Sequence, residues 1–98
     1  MGNQNPVEYE FNGSLAEPGL TDKLIHETIE LSRNSKNEKE TDPKVGAIIW
    51  FPRQRKIVAA YREDMTVNKF GSHAEEIAIN YAKFRELPLE EATIFTTL

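Results

Sequence analysis

Seven consecutive residues, Val45-Gly46-Ala47-Ile48-Ile49-Trp50-Phe51, carry no polar side chain. A run of that length, set between Pro43 and Pro52, suits a β-strand buried on both faces. Side chains along a strand alternate between faces, so such a strand needs apolar partners on two sides. After a short turn over residues 52–55, Lys56-Ile57-Val58-Ala59-Ala60-Tyr61 reads as the returning strand of a hairpin. Arg53, Arg55 and Lys56 sit at its tip, where charge keeps a strand end soluble; a phosphate contact is the alternative use.

Two helical stretches flank the hairpin. In the first, Thr21 is the expected N-cap, Leu20 can staple onto Ile25, and Asp22 favours the positive end of the helix dipole. Leu24, Ile25, Thr28, Ile29 and Leu31 make its apolar stripe, opposite Lys23, Glu27, Glu30 and Arg33, and Asn34 is the expected stop. The second begins near His73 and places Ala74, Ile77, Ala78, Tyr81 and Ala82 on one face, which should pack on the hairpin sheet. Pro88 ends it, and residues 92–98, rich in β-branched side chains, read as a third strand. The expected order is helix, strand, strand, helix, strand, which makes an α/β layered sheet. If the second and third strands are parallel, the connection between them is a right-handed crossover. Residues 1–19 contain Pro6, Gly13, Pro18 and Gly19 without a sustained period and read as a flexible N-terminal arm. Tyr9 and Phe11, alternating with acids, can dock on a sheet edge. Residues 33–44 and 62–72 read as polar connections.

Length and charge narrow the classes. A chain of 98 residues suits one small domain, burying roughly two thirds of its unfolded surface. A net charge of -4 argues against a duplex nucleic-acid binder, which needs a basic excess. The absence of cysteine excludes disulfides and the Cys-rich zinc folds. No apolar run approaches the roughly 18 residues of a membrane span, and no signal-peptide pattern opens the chain. A cytoplasmic protein without a membrane partner is the expectation.

The chemistry-bearing stretch is Gly71-Ser72-His73-Ala74-Glu75-Glu76-Ile77-Ala78-Ile79. His-x-Glu opening a helix is half of a zinc-deaminase signature, whose other half is Pro-Cys-x-x-Cys. On its own a tripeptide is weak evidence, and a histidine at a helix mouth with a glutamate favoured by the dipole is the ordinary structural explanation. The flanking segments make it selective. Pro43-Lys44-Val45-Gly46-Ala47-Ile48-Ile49, Tyr61-Arg62, the His73 stretch and Ala92-Thr93-Ile94-Phe95-Thr96-Thr97-Leu98 stand in one order. Together they resemble the cytidine and deoxycytidylate deaminase superfamily, with the nearest likeness to riboflavin-pathway-type pyrimidine deaminases. The likeness covers residues 21–98.

That resemblance implies a cytidine-deaminase-like α/β/α fold, present here as its N-terminal part over residues 20–98. It implies His73 as a zinc ligand, Glu75 as the catalytic proton shuttle, and Asp42, Lys44 and Ala74 beside the substrate. Asp42 stands where riboflavin-type relatives carry Asn. In the family a strand ending in Thr-Thr-Leu runs into Glu-Pro-Cys, with a second cysteine soon after. The implied cofactor is therefore Zn2+, with its thiolate ligands outside these residues. Zinc held by three protein ligands keeps one position for water and lowers its pKa to about 7, while a carboxylate beside it moves protons to the ring and to the leaving amine. The implied activity is hydrolytic deamination of a cytosine-like or aminopyrimidine ring, on a small-molecule pyrimidine or nucleotide. The implied partner is a second copy of the chain in a homo-oligomer, or a second polypeptide supplying Cys-x-x-Cys. The alternative is a non-catalytic binding or assembly module that keeps the scaffold. A further arrangement, a cysteine-free site from His73, His26 and carboxylates across an oligomer interface, rests on residue types alone, since His26 and Glu30 are only an i, i+4 pair.

Overall fold

The computed structural model describes residues 5–13, 17–33, 45–64 and 66–97. Its elements are β1 (Val7–Glu10), α1 (Leu20–Ser32), β2 (Gly46–Phe51), β3 (Lys56–Tyr61), α2 (Ala74–Phe84), a 3₁₀ turn (Leu89–Glu91) and β4 (Thr93–Thr96). The four strands form one sheet in the order β1-β3-β2-β4. Every neighbouring pair is antiparallel, with Ile49 opposite Val58 on one side and Ile94 on the other. Because β3 and β4 both oppose β2, they run in the same direction, as the crossover through α2 requires.

All six residues of β2 are buried. Ala47, Ile49 and Phe51 join Val58, Ala60 and the α2 residues Ala74, Ile77, Ala78 and Ala82 in one apolar cluster. Ile48 and Trp50 join Ile57, Ala59, Leu20 and Leu24 in a second cluster under α1. The molecule is thus three layers, with α1 on one face of the sheet and α2 on the other. Each large side chain of β2 so removed from water contributes about 1.5–3 kcal/mol.

Three sequence expectations are corrected. Residues 7–10, taken within a flexible arm, form the edge strand β1; Val7 opposes Ala59 and Glu10 opposes Lys56. Its two acids in four residues hide the alternation that marks a strand. The α1 N-cap is Gly19 rather than Thr21, because Gly19 adopts the left-handed region at φ 78° and its carbonyl accepts the Lys23 N–H at 3.0 Å. The helix therefore starts two residues early, and its apolar stripe divides: Leu24 and Thr28 are buried, while Ile25 and Ile29 are 43% and 42% exposed. Ile25 is accordingly no staple for the buried Leu20. Asn34 lies outside the described residues; α1 ends at Ser32, with Arg33 as its C-cap.

Edge strand β1 is held to the layers on both sides. Glu8 accepts from Lys56 Nζ on β3 at 2.7 Å, and from Tyr81 Oη at 3.0 Å and Arg85 Nε at 3.0 Å, the one on α2 and the other at its C-cap. These donors, the Lys56 ammonium first, overcome partial burial and hold the Glu8 carboxyl at about 2, from 4.5 ordinarily. Tyr9 turns the other way, and its hydroxyl donates to Glu27 of α1 at 3.5 Å.

α2 ends in a Schellman motif, with Leu87 N–H bonded to Ala82 O at 2.9 Å and Glu86 N–H to Lys83 O at 3.0 Å. The residue in the left-handed position is Glu86, at φ 58°, where glycine is preferred.

Two stability predictions follow from these contacts. Glu8→Gln should cost about 1 kcal/mol near neutral pH, the solvent around Lys56 and Arg85 limiting the loss. Since folded Glu8 titrates near 2 rather than 4.5, its contribution is present above about pH 5 and vanishes as pH falls toward 2. Urea unfolding of both proteins across that range should show the two stabilities converging at the acid end. Glu86→Gly should raise stability by about 1 kcal/mol by removing the left-handed penalty, read as a higher midpoint in thermal unfolding.

Candidate functional site

The segment from Arg62 to Ser72, expected as an irregular polar connection, is fastened closely over its described residues. Arg62 N–H bonds to Val45 O at 3.0 Å, and Glu63 N–H to Ser72 O at 3.1 Å. The second bond brings the start of α2 back to the end of β3. Asp64 organises the turn between, accepting from the Thr66 N–H and hydroxyl, both at 2.8 Å. Asn68 closes it by accepting from Phe70 N–H at 2.9 Å.

Asn5, before β1, is inserted in this loop. Its side chain exchanges two hydrogen bonds with the Tyr61 backbone, donating to the carbonyl at 2.8 Å and accepting from the N–H at 3.0 Å. Asn5 Nδ2 and Asn68 Nδ2 each reach Glu63 Oε1 at 3.2 Å, and Asn68 also donates to the Asn5 carbonyl at 2.7 Å. Glu63 and Asn68 are buried, and this amide network is what satisfies the Glu63 carboxylate there. Burial, reinforced by the Glu63 charge, pushes the nearby Tyr61 hydroxyl up, so it keeps its proton.

His73 is the N-cap of α2, in extended conformation, with its carbonyl accepting Ile77 N–H at 2.8 Å. Its imidazole makes no capping bond. That duty falls to Glu76, whose Oε1 accepts from Ser72 N–H at 3.0 Å, one position before the usual reach-back of a capping box. Gly71, at φ 137°, is needed here, because a Cβ at that position would collide with the Glu76 carboxylate. Ala74 is fully buried in the cluster that holds Ala47 and Ala60, so small side chains seat the first turn on the sheet. His73 and Glu75 are exposed. Among the described residues neither side chain has a hydrogen-bond or ion-pair partner. Of the two adjacent glutamates, Glu76 is committed to the helix end and Glu75 is free.

These groups lie at the end of the sheet where β3 and β4, which run in the same direction on either side of β2, both finish. The C-terminal ends of β3 and β4 flank the start of β2, where Gly46 opposes Tyr61 and its carbonyl accepts Thr97 N–H at 3.0 Å.

The structure therefore brings together His73, Ala74 and Glu75 on one helical turn, with Ala74 presenting no side chain to solvent. Asp42 and Lys44 lie outside the described residues. His26 is on α1, across the sheet from His73, so one copy of the chain does not join the two histidines. Among the described residues no group of three or more His, Cys, Asp or Glu could hold a metal, and these residues alone do not fit a zinc ion. Of the basic trio at the hairpin tip, Arg53 pairs with Glu91 at 3.1 Å and Lys56 with Glu8, which commits both to intramolecular contacts. No described helix is long and apolar enough to cross a membrane. Compared with known proteins, the chain matches no family model, no curated protein and no solved structure.

Sequence reasoning missed Asn5, Glu63, Asn68 and Glu76. The Asn, Asp and Gly content of 62–72 signals turns, but nothing local ties Asn5 to a loop 56 to 63 residues away. The two glutamates offer a direct test of the division of labour. Glu76→Ala should lower stability by about 1 kcal/mol through the lost helix-end acceptor. Glu75→Ala should stay within about 0.5 kcal/mol of the parent, both read by urea unfolding.

Proposed function

We propose that this chain supplies the His73-Ala74-Glu75 half of a zinc-dependent deaminase site, acting hydrolytically on a cytosine-like or aminopyrimidine ring. The observation that carries it is the pair of exposed, unengaged side chains on the first turn of α2, beside a glutamate already used for capping. A protein that needed His73 and Glu75 only for helix termination would use their side chains there. Support also comes from the layered sheet and from the four sequence segments that resemble the family. The remaining zinc ligands are cysteines contributed from outside the described residues, by a second polypeptide in the form tested below. The substrate is a small pyrimidine or its nucleotide.

What this chain's residues do in the reaction is limited and specific. His73 offers a ring nitrogen from the N-cap position of α2. Glu75, one turn into the helix at most, accepts a proton from the attacking water and returns it to the ring and the departing amine. Seating both on a backbone packed against the sheet keeps their spacing constant while the substrate changes.

One observation favours a second reading, a non-catalytic assembly module. Among the described residues the outer edge of β4 has no strand paired to it, and Ile94 within β4 is 44% exposed. On the other face Ile25 and Ile29 are exposed, and a groove of about 310 Å3 runs between α1 and β4. Unprotected strand edges with apolar flanks pair with other chains.

Mixing the chain with a polypeptide bearing Cys-x-x-Cys and with zinc separates the two. The deaminase reading expects ammonia release from a panel of cytosines, cytidine nucleotides and aminopyrimidines, dependent on both polypeptides. Glu75→Gln should reduce it by about 100-fold or more. Association without ammonia from any compound, unaffected by Glu75→Gln, overturns the deaminase reading in favour of assembly.

A further inference from the structure

The two edges of the sheet are defended unequally. β1 carries Glu8 and Glu10 among its four residues and follows Pro6, and both charge and proline hinder pairing with a further strand. β4 is Thr93-Ile94-Phe95-Thr96, without a charge, and among the described residues no strand lies outside it. Its backbone groups are in phase for pairing. Thr97 N–H is bonded to Gly46 O at 3.0 Å, and Ile48 opposes Phe95, so the amides of Thr97 and Phe95 turn inward to β2. Those of Ile94 and Thr96 alternate with them and turn outward.

The helix beside that edge is patterned to match. Ile25 and Thr28 of α1 form one wall of the groove of about 310 Å3, and residues 94–97 form the other. Asp22, Ile25, Ile29 and Arg33 stand at i, i+3, i+7 and i+11, which sets them along one face of α1, and all four are exposed. This face has an acid at one end, a base at the other and two isoleucines between. Laid antiparallel on a copy of itself, it brings Asp22 to the other Arg33 and Ile25 to the other Ile29. Asp22 has no ion-pair partner among the described residues. Arg33 pairs with Glu30 at 3.1 Å, both side chains 68% exposed, so that contact is readily exchanged.

We infer that the open edge of β4 pairs antiparallel with β4 of a second copy of this chain. One two-fold axis normal to the sheet, beside Phe95, serves strand and helix together. Ile94 and Thr96 exchange backbone hydrogen bonds with Thr96 and Ile94 of the other copy, and the two four-stranded sheets become one. The axis keeps both α1 helices on the same face, where their isoleucines meet over the joined grooves and their end charges pair. An unrelated strand would find the same backbone edge but not the complement of the Asp22 to Arg33 face, and this selects a second copy. The inference rests on the assembly reading, for which it names the partner, and uses neither His73 nor Glu75.

Sedimentation equilibrium of the full chain alone, without zinc, tests it over about 1 μM to 1 mM. Expected is a reversible rise from 11.2 kDa to twice that mass, with amide exchange at Ile94 and Thr96 slowing as concentration increases. Ile94→Lys should weaken the dimer about tenfold or more with the circular dichroism unchanged; Thr96→Lys serves the same purpose if Ile94→Lys disturbs the fold. Asp22→Arg and Arg33→Asp, each setting like charges face to face, should each weaken it about fivefold. Mixing those two variants should restore association, since each then meets its opposite charge, and a purely local effect on the helix would give no such recovery. A monomer at every concentration, a dimer indifferent to both lysine variants, or no recovery on mixing overturns the inference. A chain that stays monomeric yet binds a different polypeptide overturns it too, while leaving the assembly reading in place.

Discussion

Burial of β2 on both faces is the constraint from which the rest of the structure follows. A strand with Ala47, Ile49 and Phe51 on one side and Ile48 and Trp50 on the other has no face to give to water. It must lie inside a sheet and between two layers, which fixes β3 and β4 as its neighbours and α1 and α2 as its covers. The helices are matched to those faces unequally. α2 buries four small or medium side chains, three of them alanine, and so sits close. α1 buries Leu20, Leu24 and Thr28 and leaves two isoleucines out, so it stands less squarely over the sheet and leaves open space beside β1 and β4.

β1 shows how a short polar strand is retained at an edge. Four residues with two glutamates offer little apolar area, and a lone edge pairing is marginal. The alternation of its side chains solves this by sending Glu8 to the α2 layer and Tyr9 to the α1 layer. The same strand begins just after Asn5, which holds the loop leading to His73. A segment that adds little to the core thus joins both helical layers and the candidate site, and its charge content serves that role rather than mere solubility.

Much of the layering was legible because it depends on local periodicity. The run from 45 to 51, the return at 56–61 and the alanine-lined face of α2 each declare themselves within a single element. What could not be read depends on pairs distant in sequence. Tyr9 and Glu8 find their partners only when β3 and the helices are in place, and the acids that make those contacts disguise the strand. The Gly19 cap was missed for a different reason: Thr21 is the better capping side chain, but the left-handed backbone after Pro18 starts the helix before Thr21 is reached. At the site, His73 and Glu75 were visible as a spacing, whereas the network of half-buried Asn5 with buried Glu63 and Asn68 was not, because amide and carboxylate side chains carry no periodic signal.

The first turn of α2 separates structural from chemical demand on neighbouring residues. A helix start with exposed N–H groups attracts acids whatever the protein does, so Glu75 and Glu76 are equivalent in a purely local argument. The backbone breaks that equivalence. Gly71 in its positive-φ conformation clears the space into which the Glu76 carboxylate folds back to Ser72, and this satisfies the helix end. Once that is done, Glu75 has no structural task, and His73 as an N-cap without a capping bond has none either. The chain therefore keeps two hydrogen-bonding side chains close together on one helical turn, without a partner among the described residues. Both side chains are exposed to solvent. That exposure, more than the tripeptide itself, is what the proposed role of His73 and Glu75 rests on.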